Sequence, residues 1–211
     1  MRIKAYELGP LGTNCYLVWD EESKEAMLID PAEYEGFVQN QIEENGLDLK
    51  YVVLTHGHYD HIGGVGSFRG SNPGTLLAAS EKDEAQFRDV PDMRGVRPDI
   101  CLKEGDSVDL GALSFKVLET PGHTEGGLCF YIPECDDSLI GRHFSGTVFS
   151  GDTLFQRSIG RTDLGGGDFD VLLGSIRGKL FALPDDTLVL PGHMDATVIG
   201  DEKKYNPFVR Q

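Results

Sequence analysis

The chain has 211 residues with 19 Lys and Arg against 35 Asp and Glu, a formal charge of −16, which argues against a surface that binds nucleic acid by neutralising phosphates. Hydrophobic residues make up 39% and charged residues 26%, the balance of a globular chain, and the length suits one domain over residues 1–211. No apolar run approaches the ~20 residues of a membrane span, and the N-terminal MRIKAYELGPLGTN has no apolar core of signal-peptide length. The four cysteines, Cys15, Cys101, Cys129 and Cys135, form no C-x2-C pair and are expected to be reduced, mostly buried thiols of a cytoplasmic protein.

In chain order, Arg2 to Tyr6, Cys15 to Trp19 and Ala26 to Ile29 predict an antiparallel meander. Tyr34 to Glu44 predicts an amphipathic helix that stops at Gly46, followed by a buried strand over Lys50 to Leu54. Thr75 to Ala79 reads as a strand, with Ser80 and Asp83 as the N-terminal cap of a helix through Phe87. Phe87 to Cys101, with two prolines and neither period, reads as an irregular loop able to border a site. Strands resume over Ser114 to Leu118, Leu128 to Ile132 and Thr147 to Ser150. A helix over Phe169 to Phe181 aligns Phe169, Leu172, Leu173, Ile176 and Leu180 on one face, and a strand covers Leu188 to Leu190. The repeated strand-Pro-Gly-His design, ending at His123 and at His193, implies two similar halves.

Five of the six histidines fall in three places: His56-Gly57-His58-Tyr59-Asp60-His61, Pro121-Gly122-His123 and Pro191-Gly192-His193. Each follows an apolar strand, as does Gly151-Asp152, so loops at strand ends can bring them to one spot. In an extended segment residues two apart share a side, so His56 and His58 reach one ion while Asp60 and His61 turn to another. Imidazole and carboxylate donors without nearby thiolates suit borderline divalent ions in an open site. The expected ligands are His56, His58 and His123 for one ion, Asp60, His61 and His193 for the other, and Asp152 between them. Zn2+ is the expected metal, with iron or manganese as alternatives. His143 fits no element of this set and reads as a loop histidine.

Two divalent ions, two carboxylates and a bridging hydroxide leave a net charge of about +1, which draws an anionic small molecule. Bound water titrates near ~7, so hydrolysis at neutral pH is the expected reaction, with Asp60, His61 and Asp152 at its centre. A thiolate of pKa ~8.5 leaves without a proton, whereas an amide nitrogen needs one, so thioesters and strained lactones suit the site best. Phe37, Phe68, Met93 and Phe155 are read as core or loop packing, with lining a pocket as the alternative for each.

The ligand set resembles that of the metallo-β-lactamase fold superfamily. Gly12 to Val18, Met27 to Pro31, Thr55 to Gly64, Thr120 to His123, Gly151-Asp152-Thr153-Leu154-Phe155, Ser158 to Asp163 and Asn206-Pro207-Phe208 resemble its short glyoxalase II-like branch across nearly the whole chain. The resemblance implies an α/β fold, a four-layer αβ/βα sandwich with two mixed sheets. It also implies hydrolysis of S-2-hydroxyacylglutathione, with Arg161 either meeting a substrate carboxylate or pairing with a neighbouring acid. Only 18 residues follow His193, where full-length members carry a helical domain that grips glutathione, so glutathione recognition is expected to be weaker or built differently. The same superfamily offers a second reading, a mononuclear Fe(II) persulfide dioxygenase on His56, His123 and Asp152.

Overall fold

The computed structural model describes residues 1–137 and 141–209, and for residues 92 and 134–137 the backbone alone. The first six strands are β1 (Arg2–Leu8), β2 (Thr13–Trp19), β3 (Glu25–Ile29), β4 (Asp48–Val53), β5 (Leu76–Ala79) and β6 (Ile100–Cys101), and they form one sheet in that order. The meander β1 to β3 is antiparallel, as expected, and β3 to β6 run parallel. The second sheet takes β7 (Ser107–Leu110), β8 (Leu113–Glu119), β9 (Leu128–Asp137), β10 (Arg142–Gly151), β13 (Leu188–Pro191) and β14 (Thr197–Val198) in the order β14-β13-β10-β9-β8-β7. There β10 and β13 are parallel and the other pairs antiparallel. A small hairpin, β11 (Leu154–Phe155) and β12 (Ser158–Ile159), follows β10.

Side-chain alternation along the strands builds the layers. In β2 and β3, Tyr16, Val18, Met27 and Ile29 face the second sheet, meeting Phe115, Phe130 and Phe149 in the core between the sheets. Their neighbours Cys15, Leu17, Ala26 and Leu28 face outward, against α1 (Gly36–Glu44) and α3 (Val65–Ser71) through Val38, Ile42, Val65 and Phe68. On the far side, Cys129, Val148 and Val189 pack against α4 (Phe169–Gly178) and α5 (Ile199–Tyr205) through Leu172, Ile176 and Ile199. The result is the expected four-layer αβ/βα sandwich with two mixed sheets. No described helix is long and apolar enough to cross a membrane.

Several expectations need correction. The helix expected after Ser80 is 3-10 turn, over Glu81–Asp89 and Pro91–Met93, and only Ser80 acts as its cap, accepting from the Lys82 N–H at 3.3 Å. Asp83 turns into the protein instead. Phe169 is 47% exposed at the first position of α4, whereas Leu172, Ile176 and Leu180 are buried. Both Pro-Gly-His elements follow strands of the second sheet, so they do not mark two halves. His143 lies in β10, opposite Asp136, rather than in a loop. Cys15 and Cys129 are buried free thiols and Cys101 is exposed, while the side chain of Cys135 lies outside the described residues.

Candidate metal centre

His56 and His58 sit on the loop after β4, Asp60 and His61 in the one-turn helix α2 (Tyr59–Ile62), His123 after β8, Asp152 after β10 and His193 after β13. All seven predicted side chains converge at the C-terminal ends of these strands. The ring centroids of His56, His58 and His123 lie 4.5 to 4.8 Å apart, and those of His61 and His193 lie 5.3 Å apart. Three overlapping groups of donors have their atoms within 4.8 Å of one another: His56, His58 and His123; Asp60, His61 and His193; and Asp30, His56 and His61, which straddles the other two through rings 4.1 Å apart. Asp152 lies between the first two: Oδ1 is 3.5 Å from His61 Nε2, while Oδ2 is 3.5 Å from His123 Nε2 and 3.6 Å from His193 Nε2.

The chain orients the rings from behind. His61 Nδ1 donates to Asp30 Oδ2 at 2.9 Å, His123 Nδ1 to the Arg161 carbonyl at 2.7 Å and His56 Nδ1 to Thr55 Oγ1 at 3.1 Å. Thr55 Oγ1 is free to accept because its own proton goes to Asp30 Oδ2 at 2.6 Å. With a proton fixed on Nδ1, each ring aims Nε2 into the cluster, where the neutral form offers a lone pair. The Nε2 atoms of His56, His61 and His123 and Oδ1 of Asp152 are buried and have no hydrogen-bond partner among the described residues. Leaving four such atoms unsatisfied is unfavourable, and cations at their focus satisfy all of them, so the donor set fits metal binding.

Close backbone approach permits this density of groups. Gly122 has φ +127, and a Cβ there would lie 2.3 Å from the Leu172 amide of α4, so no side chain fits ahead of His123. After His193, Met194 holds φ +67. The Asn14 side-chain amide fixes that turn by donating to the Met194 and Pro191 carbonyls at 2.9 and 3.0 Å. The Tyr16 hydroxyl adds a 2.7 Å bond to Pro191.

Charge divides the two groups. Burial first, and then the other imidazoles, holds His56 well below the usual histidine range, and the same causes lower His58 to about 4. Both are neutral and ready to ligate at pH 7. Burial also opposes protonation of His61, but Asp152, Asp30 and Asp60 outweigh it and raise this ring to about 9. Burial pushes Asp60 up, and the His193 hydrogen bond with the His61 charge more than reverses it, leaving Asp60 at about 2. Asp60 in turn raises His193 through the same bond.

The cluster forms the floor of an open cleft of about 790 Å3. Phe155, Ile159, Leu164, Leu11, Tyr59 and Met194 line it with Gln86, and Asp89 brings in the Phe87 to Cys101 segment expected to border a site. Of the pocket candidates, only Phe155 lines this cleft, whereas Phe68 and Met93 are core and Phe37 stacks on Tyr6. Arg161 lies at the cleft, its guanidinium paired with Asp163 through Nε and Nη2 at 2.7 and 2.8 Å. His143 is not among the lining residues. The orienting role of Asp30 escaped the sequence reading. It had a local signal, an aspartate ending an apolar strand before proline.

The family model for the metallo-beta-lactamase superfamily matches residues 8–193. A protein named hydroxyacylglutathione hydrolase GloC from Haemophilus influenzae is 38% identical over 99% of this chain and 98% of its own length. The mitochondrial persulfide dioxygenase ETHE1 of Mus musculus is 34% identical over 92% of this chain and 70% of its own. Among solved structures, the B3 metallo-beta-lactamase BLEG-1 superposes with a TM-score of 0.81 at 34% identity, covering 99% of this chain and 100% of its own. The di-iron-bound form of TTHA1623 gives 0.79 at 33% identity, with coverages of 97% and 99%. Fold, donor set and sequence agree: the chain belongs to the metallo-beta-lactamase superfamily.

Proposed function

We propose that the chain is a metal-dependent thioester hydrolase acting on small anionic substrates of the S-2-hydroxyacylglutathione class, in the cytoplasm. One ion is held by His56, His58 and His123, the other by Asp60, His61 and His193, and Asp152 is shared. Zn2+ is our assignment, and the di-iron form of a 33% identical structure makes iron the first alternative. The observation that carries the reading is the set of unpartnered buried donors on either side of Asp152, at the floor of a cleft open to a small molecule.

When bound, such ions lower the pKa of water toward ~7 and polarise a carbonyl oxygen. The chain supplies the rest. The carboxylates of Asp60 and Asp152 face the same rings and orient the attacking water by accepting its hydrogens. Asp30 holds the His61 ring at Nδ1, so His61 presents Nε2 to the same point. The thiolate leaves unprotonated, which is why no general acid is required beside the sulfur. Phe155 and Ile159 exclude water from one side of the acyl group, and Arg161 receives a substrate carboxylate by exchanging it for Asp163.

The test is a panel of thioesters, lactones, a β-lactam and a persulfide, assayed on protein loaded separately with zinc, manganese and iron. Preferred turnover of S-lactoylglutathione supports the reading, and its absence with every metal refutes it. The 34% identical persulfide dioxygenase favours a second reading, one Fe(II) on His56, His123 and Asp152. One iron per chain with oxygen uptake on glutathione persulfide would establish that alternative.

A further inference from the structure

Asp83 is 1% exposed, and no cationic side chain is paired with it among the described residues. A buried carboxylate in that position is costly unless hydrogen bonds compensate it. Three donors do so. Oδ2 accepts from the Gly57 N–H at 2.9 Å and from the Thr124 hydroxyl at 2.8 Å, and Oδ1 accepts from the Gly126 N–H at 2.8 Å. Burial raises its carboxyl above the usual range, and these donors pull it back toward the ionised form.

The donors come from two loops. Gly57 stands between His56 and His58, and Thr124 directly follows His123, so one carboxylate ties together the backbones that carry all three histidines of the first group. The fit is tight at both ends: a Cβ on Gly126 would lie 2.6 Å from the Asp83 carboxyl, and one on Gly57 would lie 2.9 Å from the Asp83 Cβ. The second group receives no bond from Asp83; its His61 is held by Asp30 instead.

We propose that Asp83 is a positioning residue for the His56, His58 and His123 site, clasping the two loops so that the three rings stand at ligating separation before an ion arrives. This inference rests on the metal-site reading above. Asp83 touches neither ion nor substrate; it acts through Gly57, Thr124 and Gly126. Asparagine has a single acceptor oxygen, so Asp83→Asn leaves one loop's donor without a partner.

The test is a Co2+ titration of metal-free wild type and Asp83→Asn, followed by the visible absorption of each site. The expected result is a first-site affinity about 10- to 100-fold weaker, with the Asp60, His61 and His193 site changed less than about threefold. Excess metal should restore the cobalt spectrum and kcat. Amide exchange in metal-free protein should quicken at Gly57 or Gly126, whichever N–H faces the asparagine NH2, a readout independent of any ion. If Asp83→Asn folds poorly, Thr124→Val removes one of the three donors and should weaken the same site about 3- to 10-fold. Equal weakening of both sites, or unchanged first-site affinity, would overturn the proposal. Uptake of fewer than two ions by wild type would overturn the two-metal reading instead, and the exchange rates would then decide the clasp alone.

Discussion

Gly192→Ala probes the placement of the shared carboxylate. Gly192 is held on both sides, its N–H donating to the Gly151 carbonyl at 2.8 Å and its carbonyl accepting from the Asn14 N–H at 2.7 Å. A Cβ there would lie 2.3 Å from Asp152 Oδ1 and 2.8 Å from His61 Cε1. Carbon and oxygen rest comfortably at about 3.3 Å, so Asp152 must yield by roughly 1 Å while the backbone cannot retreat. A displacement of that size at a reacting centre costs about 100-fold in rate, and the overpacking removes about 1–3 kcal/mol of stability. Gly174→Ala in α4, where nothing lies within 4 Å of the added methyl, is the control. It should keep full activity and gain about 0.5–1 kcal/mol. Steady-state kinetics, metal content and thermal unfolding of both variants read the outcome. A Gly192→Ala enzyme with two metals and kcat within threefold of wild type would refute the placement of Asp152.

Three further outcomes follow from the same geometry. His61 is raised to about 9 in the metal-free cluster, so it is protonated at pH 7 and ligation must displace that proton. Metal loading in weakly buffered solution should therefore release protons in numbers that fall as the pH rises through about 9, and a release that does not vary with pH would contradict this. Asp163→Asn frees the Arg161 guanidinium and should lower KM for S-lactoylglutathione about two- to fivefold; an unchanged KM removes Arg161 from substrate binding. Behind the β11–β12 hairpin, the buried Glu202 carboxylate accepts from the Arg157 backbone N–H, Thr197 Oγ1 and Asn206 Nδ2 at 2.7 to 2.9 Å and pairs with the Arg157 guanidinium at 2.5 Å. Glu202→Ala should cost about 3–5 kcal/mol of stability with kcat retained at low temperature, and a loss under 1 kcal/mol would show that these bonds contribute little.

Elements marked by periodicity were legible before the fold was known. The β2 and β3 alternation, the buried strand β4 and the apolar stripe of α4 each carry a local signal, and the metal-type residues stand out because they end strands. What escaped depends on contacts made at a distance. Asp83 follows Ser80 at a capping interval, so local rules assign it to a helix start, yet its partners lie 26 to 43 residues away. Short α2 and α3 hide in a glycine-rich stretch that reads as turn. β7 has only two apolar residues, Val108 and Leu110, and becomes a strand because β8 pairs with it. Phe169 matches the helical period of α4 but stands at its first turn, beyond the reach of the sheet.

Crystals of the zinc-loaded enzyme, mapped by anomalous scattering at the zinc edge, test the metal centre most directly. The expected map has two peaks about 3.5–4 Å apart, one against His56, His58 and His123, the other against Asp60, His61 and His193, with an Asp152 oxygen facing each. A single peak, or peaks bound by other residues, would contradict it.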